Sequence, residues 1–236
     1  MGEKYFGWEA KSMMLRVHVI CEGHTEEMFV NELLMPHLNN KGIAIIPAKI
    51  GKPGHKGGNV CLERLLFDLK RRLLSDKTCY CTTLLDYYGL PGNFPGKSDA
   101  IKWKESKTKF GAVTEALFIE ITKALGHASA RFIPYIQMHE FEGLLFSAPG
   151  LLAESLQRPL LTKELAKIRK GTCPEDINDS PNTAPSKRIE QLFDAYDKPM
   201  HPILAAKKIG LTTIRLECPL FDAWLKRLES LVKVDS

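Results

Sequence analysis

Strand-like and helix-like patterns alternate four times in the first 147 residues, and this alternation constrains the fold more than any other feature. Short apolar, β-branched runs lie at 15–20 (LRVHVI), 43–50, 80–85 and 131–138. After the first run, Phe29, Val30, Leu33 and Leu34 recur at helical spacing until Gly42 breaks the pattern. Residues 60–74 form a second helical stretch with a basic end at Lys70, Arg71 and Arg72, and residues from about 110 to 125 form a third. Strands separated by helices cannot pair as hairpins, so they predict parallel βαβ units. Beyond residue 147 only helical patterns remain, at 151–156, 162–170, 186–196, 201–209 and 219–231. A loop rich in Pro, Asp and Asn, 171–185, interrupts them. The expected architecture is α/β: a roughly four-stranded, mainly parallel sheet flanked by helices over 14–148, with an all-helical elaboration over 149–236 packed on it. Residues 1–13 are expected to be a flexible extension, and Met14 is an alternative start.

Composition narrows the class. Hydrophobic residues make up 44% of the 236, enough for a real core, and 26% are charged, as in an ordinary soluble protein. A net charge of +5 and a pI near 8.8 tolerate nucleic acid without demonstrating binding. No apolar run approaches the roughly 18 residues of a membrane span, and the first residues lack the apolar core of a signal peptide. Cytoplasm is the expected compartment. Six cysteines in a chain this long do not form a secreted disulfide framework. Cys79 and Cys81 fall on one face of a strand, which favours core packing over a zinc pair.

Three acidic stretches follow strand-like runs: Cys21-Glu22-Gly23-His24-Thr25-Glu26, Leu84-Leu85-Asp86-Tyr87-Tyr88-Gly89 and His139-Glu140-Phe141-Glu142. Ligands of open α/β sheets gather beyond the carboxyl ends of the strands, and carboxylates there can collect a hard cation such as Mg²⁺. Glu22 precedes a glycine turn and faces whatever binds above the sheet. Thr25 is expected to cap the following helix, and Glu26 reads first as a charge in its first turn. Asp86 ends an apolar strand, where an acid needs a metal or a basic partner. Glu140 and Glu142 point the same way if their segment stays extended and diverge if it turns helical at once. His139 could orient a water or a phosphate, although a histidine beside a strand is more often structural.

Two further segments could hold phosphate. Residues 52–59 (KPGHKGGN) lack the ending of a Walker A loop, so Lys56 and its glycines are either a phosphate cradle or a plain loop. Lys187 and Arg188 open a helix after Pro185-Ser186, against the helix dipole, so a negative partner should compensate them: Asp176 and Asp179, or bound phosphate. The chain has no Gly-x-Ser-x-Gly elbow, no His-Glu-x-x-His and no dinucleotide fingerprint, so serine hydrolysis, zinc peptidase and nicotinamide chemistry lack support.

At Glu22-Gly23-x-Thr25-Glu26 and Asp86 the chain resembles the Toprim group, the metal-binding domain of topoisomerases, primases and overcoming-lysogenization-defect nucleases. The segments LLDYYGLPGNFPG, RFIPYIQMHEFEGLLFS, PEDINDSPNTAPSKRI and IRLECPLFDAWLKRLE are similar to a bacterial Toprim-like family of unassigned activity, over nearly all of 14–230. The resemblance implies a Toprim-like fold, Mg²⁺ or Mn²⁺, and an ATPase encoded nearby as partner in anti-phage or abortive-infection defence. By motif position Glu22 is the Toprim glutamate and Asp86 the first acid of an Asp-x-Asp pair. Tyr88 stands where the second acid belongs, and Glu140 and Glu142 are expected to supply the missing carboxylates, with Glu26 a further candidate ligand. The expected activity is a metal-dependent nuclease acting on DNA or RNA, tRNA included, with Lys56, Lys187 and Arg188 on backbone phosphates. The alternative is an inactive adaptor or sensor bound to the ATPase. The oligomeric state stays open, a homo-oligomer included.

Overall fold

Val17, Val19 and Cys21 enter one apolar core and Ile20 the other, and all four are fully buried. A strand covered on both faces is the condition of a parallel sheet. In the computed structural model, which describes residues 14–51, 57–177, 180 and 183–232, this strand is β1 (Leu15–Cys21). It lies between β2 (Ile43–Lys49) and β3 (Tyr80–Asp86), and β3 continues the sheet to β4 (Phe132–Ile133) and β5 (Ile136–Gln137). All pairings are parallel. The architecture is α/β and is consistent with a Toprim-like fold.

The sheet has five strands rather than four because residues 131–138 do not make one strand. Pro134 falls in the middle, and proline has no N–H for a ladder. Side chains of β3 bridge the gap. Thr82 Oγ1 donates to the Ile133 carbonyl at 2.6 Å, while Thr83 Oγ1 donates to the Tyr135 carbonyl at 2.7 Å and accepts the Tyr135 N–H at 3.0 Å.

Between β1 and β2, α1 (His24–Phe29) runs through a π-helical turn (Val30–Leu34) into α2 (Met35–Asn39). The wide turn falls just before Pro36, which cannot donate four residues back. Helices α3 (Leu62–Leu73), α4 (Lys97–Ala100) and α5 (Ser106–Leu125) follow, the last beginning a turn earlier than its apolar spacing suggested. Cys79 and Cys81 are free, fully buried thiols in the core beneath α3 and α5, as their spacing implied.

The C-terminal helices are α6 (Pro149–Ser155), α7 (Thr162–Arg169), α8 (Pro185–Leu192), α9 (Met200–Ile209), α10 (Leu211–Glu217) and α11 (Pro219–Glu229). Helix α8 stops at Leu192 rather than 196, where Phe193 turns extended. Helix α10 is an addition to the expected set. Its sequence, LTTIRLE, is rich in β-branched residues with low helix propensity, but Ile214 is fully buried, and packing overrides propensity. These helices share one core with β1 and α1. The ring of Tyr135 stacks on Trp224 at 4.4 Å, Phe29 meets Phe141 edge-on at 5.0 Å, and Trp224 Nε1 donates to Thr82 Oγ1 at 2.8 Å. Glu175, 2% exposed, accepts the N–H groups of Leu220 and Phe221 at the start of α11, and burial pushes its carboxyl up to about 7. Among the described residues no helix is long and apolar enough to cross a membrane.

Candidate active site

The order β2-β1-β3 means that the chain leaves β1 to one side and later returns on the other. This reversal opens a crevice beyond the carboxyl ends of β1 and β3. Glu22 is the first residue past β1 and Asp86 the last of β3, so both stand on it. The Glu22 N–H donates to the Leu84 carbonyl at 3.1 Å, and Glu22 Oε2 accepts the Asp86 N–H at 3.0 Å. Gly89 leaves the space in which this carboxylate sits, for a Cβ there would lie 2.4 Å from Glu22 Oε1.

Helix α1 begins differently from expectation. Its N-cap is Gly23, not Thr25, and Glu26 Oε2 accepts the Gly23 N–H at 2.8 Å. Gly23 has φ −142°, open to any residue; its smallness matters instead because a Cβ would approach Glu26 Oε2 to 3.3 Å. Glu26 is thus both a helix cap and a wall of the crevice, 6% exposed.

The third acidic stretch is zipped onto β3. Tyr87 and Tyr88 donate their N–H groups to the carbonyls of Gln137 (2.8 Å) and His139 (2.9 Å). His139 adopts φ 64°, rare for a residue with a Cβ, and the chain turns there. Glu140 is extended and caps a 3₁₀ turn, Phe141–Ser147, so the segment does turn helical at once. Both carboxylates nevertheless stay at the crevice. Glu140 Oε2 accepts the Ser186 N–H at 2.9 Å, and Glu142, 2% exposed, pairs with Lys198 Nζ at 2.6 Å.

Asp86 is the centre of this group. The residue keeps some solvent contact, but its Oδ1 is sealed and has no hydrogen-bond partner among the described residues. Burial, then the carboxylates of Glu26, Glu22, Glu142 and Glu140, hold its carboxyl well above the usual range. Burial likewise raises Glu22, Glu26 and Glu142, against the hydrogen bonds and the Lys198 charge that oppose it. Lys198 experiences the converse. Burial alone would lower its ammonium, but Glu142, Glu140 and Asp86 hold it above its ordinary value. Packing carboxylates this closely is unfavourable unless protons or cations intervene.

The family model described as a domain of unknown function, DUF4276, matches residues 21–229. The chain belongs to the DUF4276 family. The matched span of this DUF4276 chain takes in all five carboxylates and Lys198. No curated protein and no solved structure matches it.

In this DUF4276 chain Lys198 is the site residue that sequence reading missed. It lies in a polar stretch before α9 with no motif around it, and only folding brings it to Glu142. The remaining candidates are placed as follows. Lys56 and Asp179 lie outside the described residues. The described end of the 52–59 loop does reach the crevice, since the Gly58 N–H donates to the Glu22 carbonyl at 3.0 Å. Lys187 pairs with Glu190 at 2.6 Å, Arg188 donates to the Thr183 carbonyl at 2.7 Å, and Asp176 accepts the Ser106 N–H at 3.2 Å. His139 Nε2 lies 3.2 Å from Ser106 Oγ.

The donor set consists of hard carboxylate oxygens, which suits Mg²⁺ or Mn²⁺. Among the described residues no three His, Cys, Asp or Glu side chains stand ready to hold one ion. Glu22, Glu26, Glu140 and Glu142 each already meet a protein donor through one oxygen. Asp86 Oδ1 is sealed and meets no hydrogen-bond donor among the described residues. Gly89→Ala is expected to displace the Glu22 carboxylate, because the added methyl meets the end of a side chain rather than backbone. Its melting temperature should stay near wild type, and on the expectation that Glu22 is a metal ligand its Mn²⁺ affinity, measured by calorimetry, should fall about tenfold or more.

Proposed function

We propose that this chain is a metal-dependent, Toprim-like nuclease that hydrolyses phosphodiester bonds. The observation that carries this reading is the sealed, unpartnered Oδ1 of Asp86, ringed by four further carboxylates at the switch point of a parallel sheet. Glu22, Asp86, Glu140 and Glu142 would hold Mg²⁺ or Mn²⁺, with Glu26 beside them. Such an ion lowers the pKa of a bound water and neutralises charge on the phosphodiester. Ser186 positions Glu140 through its backbone N–H, and Asp86 positions Glu22 in the same way. A nearby ATPase and a role in anti-phage defence enter on the resemblance alone.

One observation favours a second reading, an inactive adaptor or sensor docked on that ATPase. Lys198 already neutralises part of the acidic cluster, which a structural ion-pair network would also do. The deciding assay incubates plasmid, single-stranded DNA and total tRNA with the protein and Mn²⁺ or Mg²⁺, with and without the ATPase. Cleavage by wild type, reduced about a hundredfold or more in Glu22→Gln and in the Glu140→Gln/Glu142→Gln pair, is the expected result. Undiminished cleavage by the double variant would remove Glu140 and Glu142 from the active set. Absence of both cleavage and Mn²⁺ binding in wild type that still binds the ATPase would establish the adaptor.

A further inference from the structure

Behind the acidic crevice lies a second cavity, which holds two lysines. Tyr87 and His139, each next to an acid of the crevice, also wall a cavity of about 320 Å³ completed by Tyr88, Lys97, Ile101 and Lys109. Lys97 is 7% exposed and Lys109 3%. Lysines are almost never this buried unless something negative meets them. What meets Lys97 is neutral: its Nζ donates to the Tyr87 carbonyl at 2.5 Å and sits 3.3 Å from the centroid of the Tyr87 ring. Among the described residues no carboxylate lies within ion-pair distance of Lys97. Burial and then the Lys109 charge lower its ammonium to about 8, still protonated for the most part at neutral pH. Lys109 Nζ lies 5.9 Å from the centroid of the same ring, so the two side chains converge. Ser106 holds the His139 ring at the edge of this group.

We propose that this cavity is a phosphate subsite, which receives a backbone phosphate of the same nucleic-acid strand whose scissile phosphodiester lies at the acidic cluster. Three observations converge: the cavity, the buried ammonium of Lys97 with only neutral acceptors, and the shared wall of Tyr87 and His139. The subsite rests on the nuclease reading for its ligand, but not for its affinity for phosphate. Tyr88 and Ile101 supply a partly apolar wall on which the attached sugar or base can lie, and a phosphodiester group fits well within the volume. The placement also gives a positive role to the segment that carries a tyrosine in place of a second acid. Carboxylates gather on one side of it and cations on the other, a division that seats a polyanion while collecting its counter-ions.

The test is binding without cleavage. Full-length protein carrying Glu22→Gln is titrated, without divalent metal, against a fluorescent single-stranded oligonucleotide and separately against inorganic phosphate. Adding Lys97→Gln is expected to weaken both about tenfold or more, as loss of a charge-assisted contact implies. Lys97→Arg, which keeps the charge, should retain part of the affinity and control for folding, together with unchanged melting temperatures. Oligonucleotide binding that is indifferent to Lys97→Gln overturns the subsite and leaves the nuclease reading standing. Phosphate binding that depends on Lys97, in a protein that binds no nucleic acid, keeps an anion site but removes the strand from it and sinks the nuclease reading. Failure of phosphate to bind, or to compete with the oligonucleotide, also overturns the proposal.

Discussion

Asp86→Asn should make the metal-free protein more stable and, in the same stroke, inactive. The carboxylate it removes has one oxygen sealed without a partner and four neighbouring carboxylates raising its pKa. An amide keeps the shape and cannot ionise in either state. Above pH 4 folding forces this carboxyl to take up a proton that the unfolded chain has lost, and relief of that cost corresponds to about 1–3 kcal/mol at neutral pH. In a domain of this size that is roughly 2–10 °C in melting temperature. The pH dependence has a definite sign. Because the folded-state pKa lies above the unfolded value of 3.8, the folded protein keeps a proton that the unfolded chain has lost. Stability therefore falls as pH rises from about 4 through the folded pKa, and this part of the slope should vanish in Asp86→Asn. Thermal melts between pH 4 and 8 in a chelator, repeated with Mn²⁺, check all of this. Wild type should gain stability from the ion and the variant should not. A variant that melts lower than wild type at neutral pH would show that Asp86 is structurally satisfied after all. A site that costs stability in order to be ready for a ligand is a common signature of function.

Lys198→Met should have the opposite effect on the same cluster. Glu142 is 2% exposed, and its cation would be gone while four other carboxylates remain nearby. Breaking a buried pair by removing one partner costs roughly 3–5 kcal/mol. The Lys198 side chain is 43% exposed, so water screens the pair and about 1–3 kcal/mol is the better expectation. The loss should be greatest at neutral pH and shrink toward pH 4, where the unpaired Glu142 protonates. Lys198→Met/Glu142→Gln should recover most of it. Chemical denaturation of the three proteins at pH 5 and 7.5 measures these differences. Equal destabilisation at both pH values would mean that Lys198 acts through packing and not through its charge. In Mn²⁺ the Lys198→Met variant should lose less, since an added cation replaces the one removed.

The strands, most helices and the three acidic turns were legible in the chain because each depends on local chemistry. Val17, Val19 and Ile20 mark a strand buried on both faces, helical spacing separates it from the next, and a sheet so connected must be parallel. A parallel sheet in turn directs residues that follow strands to one edge, which is why Glu22 and Asp86 could be paired in advance. Local patterns faltered where a distant partner decided the conformation. Pro134 split a strand whose hydrogen bonds Thr82 and Thr83 then completed from across the sheet. Ile214 gave a helix to a β-branched segment because it is buried in the core.

For Glu140 and Glu142 the local alternatives, extended or helical, did not settle whether both could serve one site. The segment turned, and both stayed, because Ser186 in α8 and Lys198 just before α9 reach them from elsewhere in the chain. The cavity of Lys97 and Lys109 was invisible for the same reason. No motif marks the two lysines, and only α4 and α5 bring them over the Tyr87 ring. Backbone preference and hydrophobic periodicity act over a few residues and are written in order along the chain. Electrostatic environment depends on which charges meet through space, and in this protein only the packing of the C-terminal helices and of α4 and α5 on the sheet decides that.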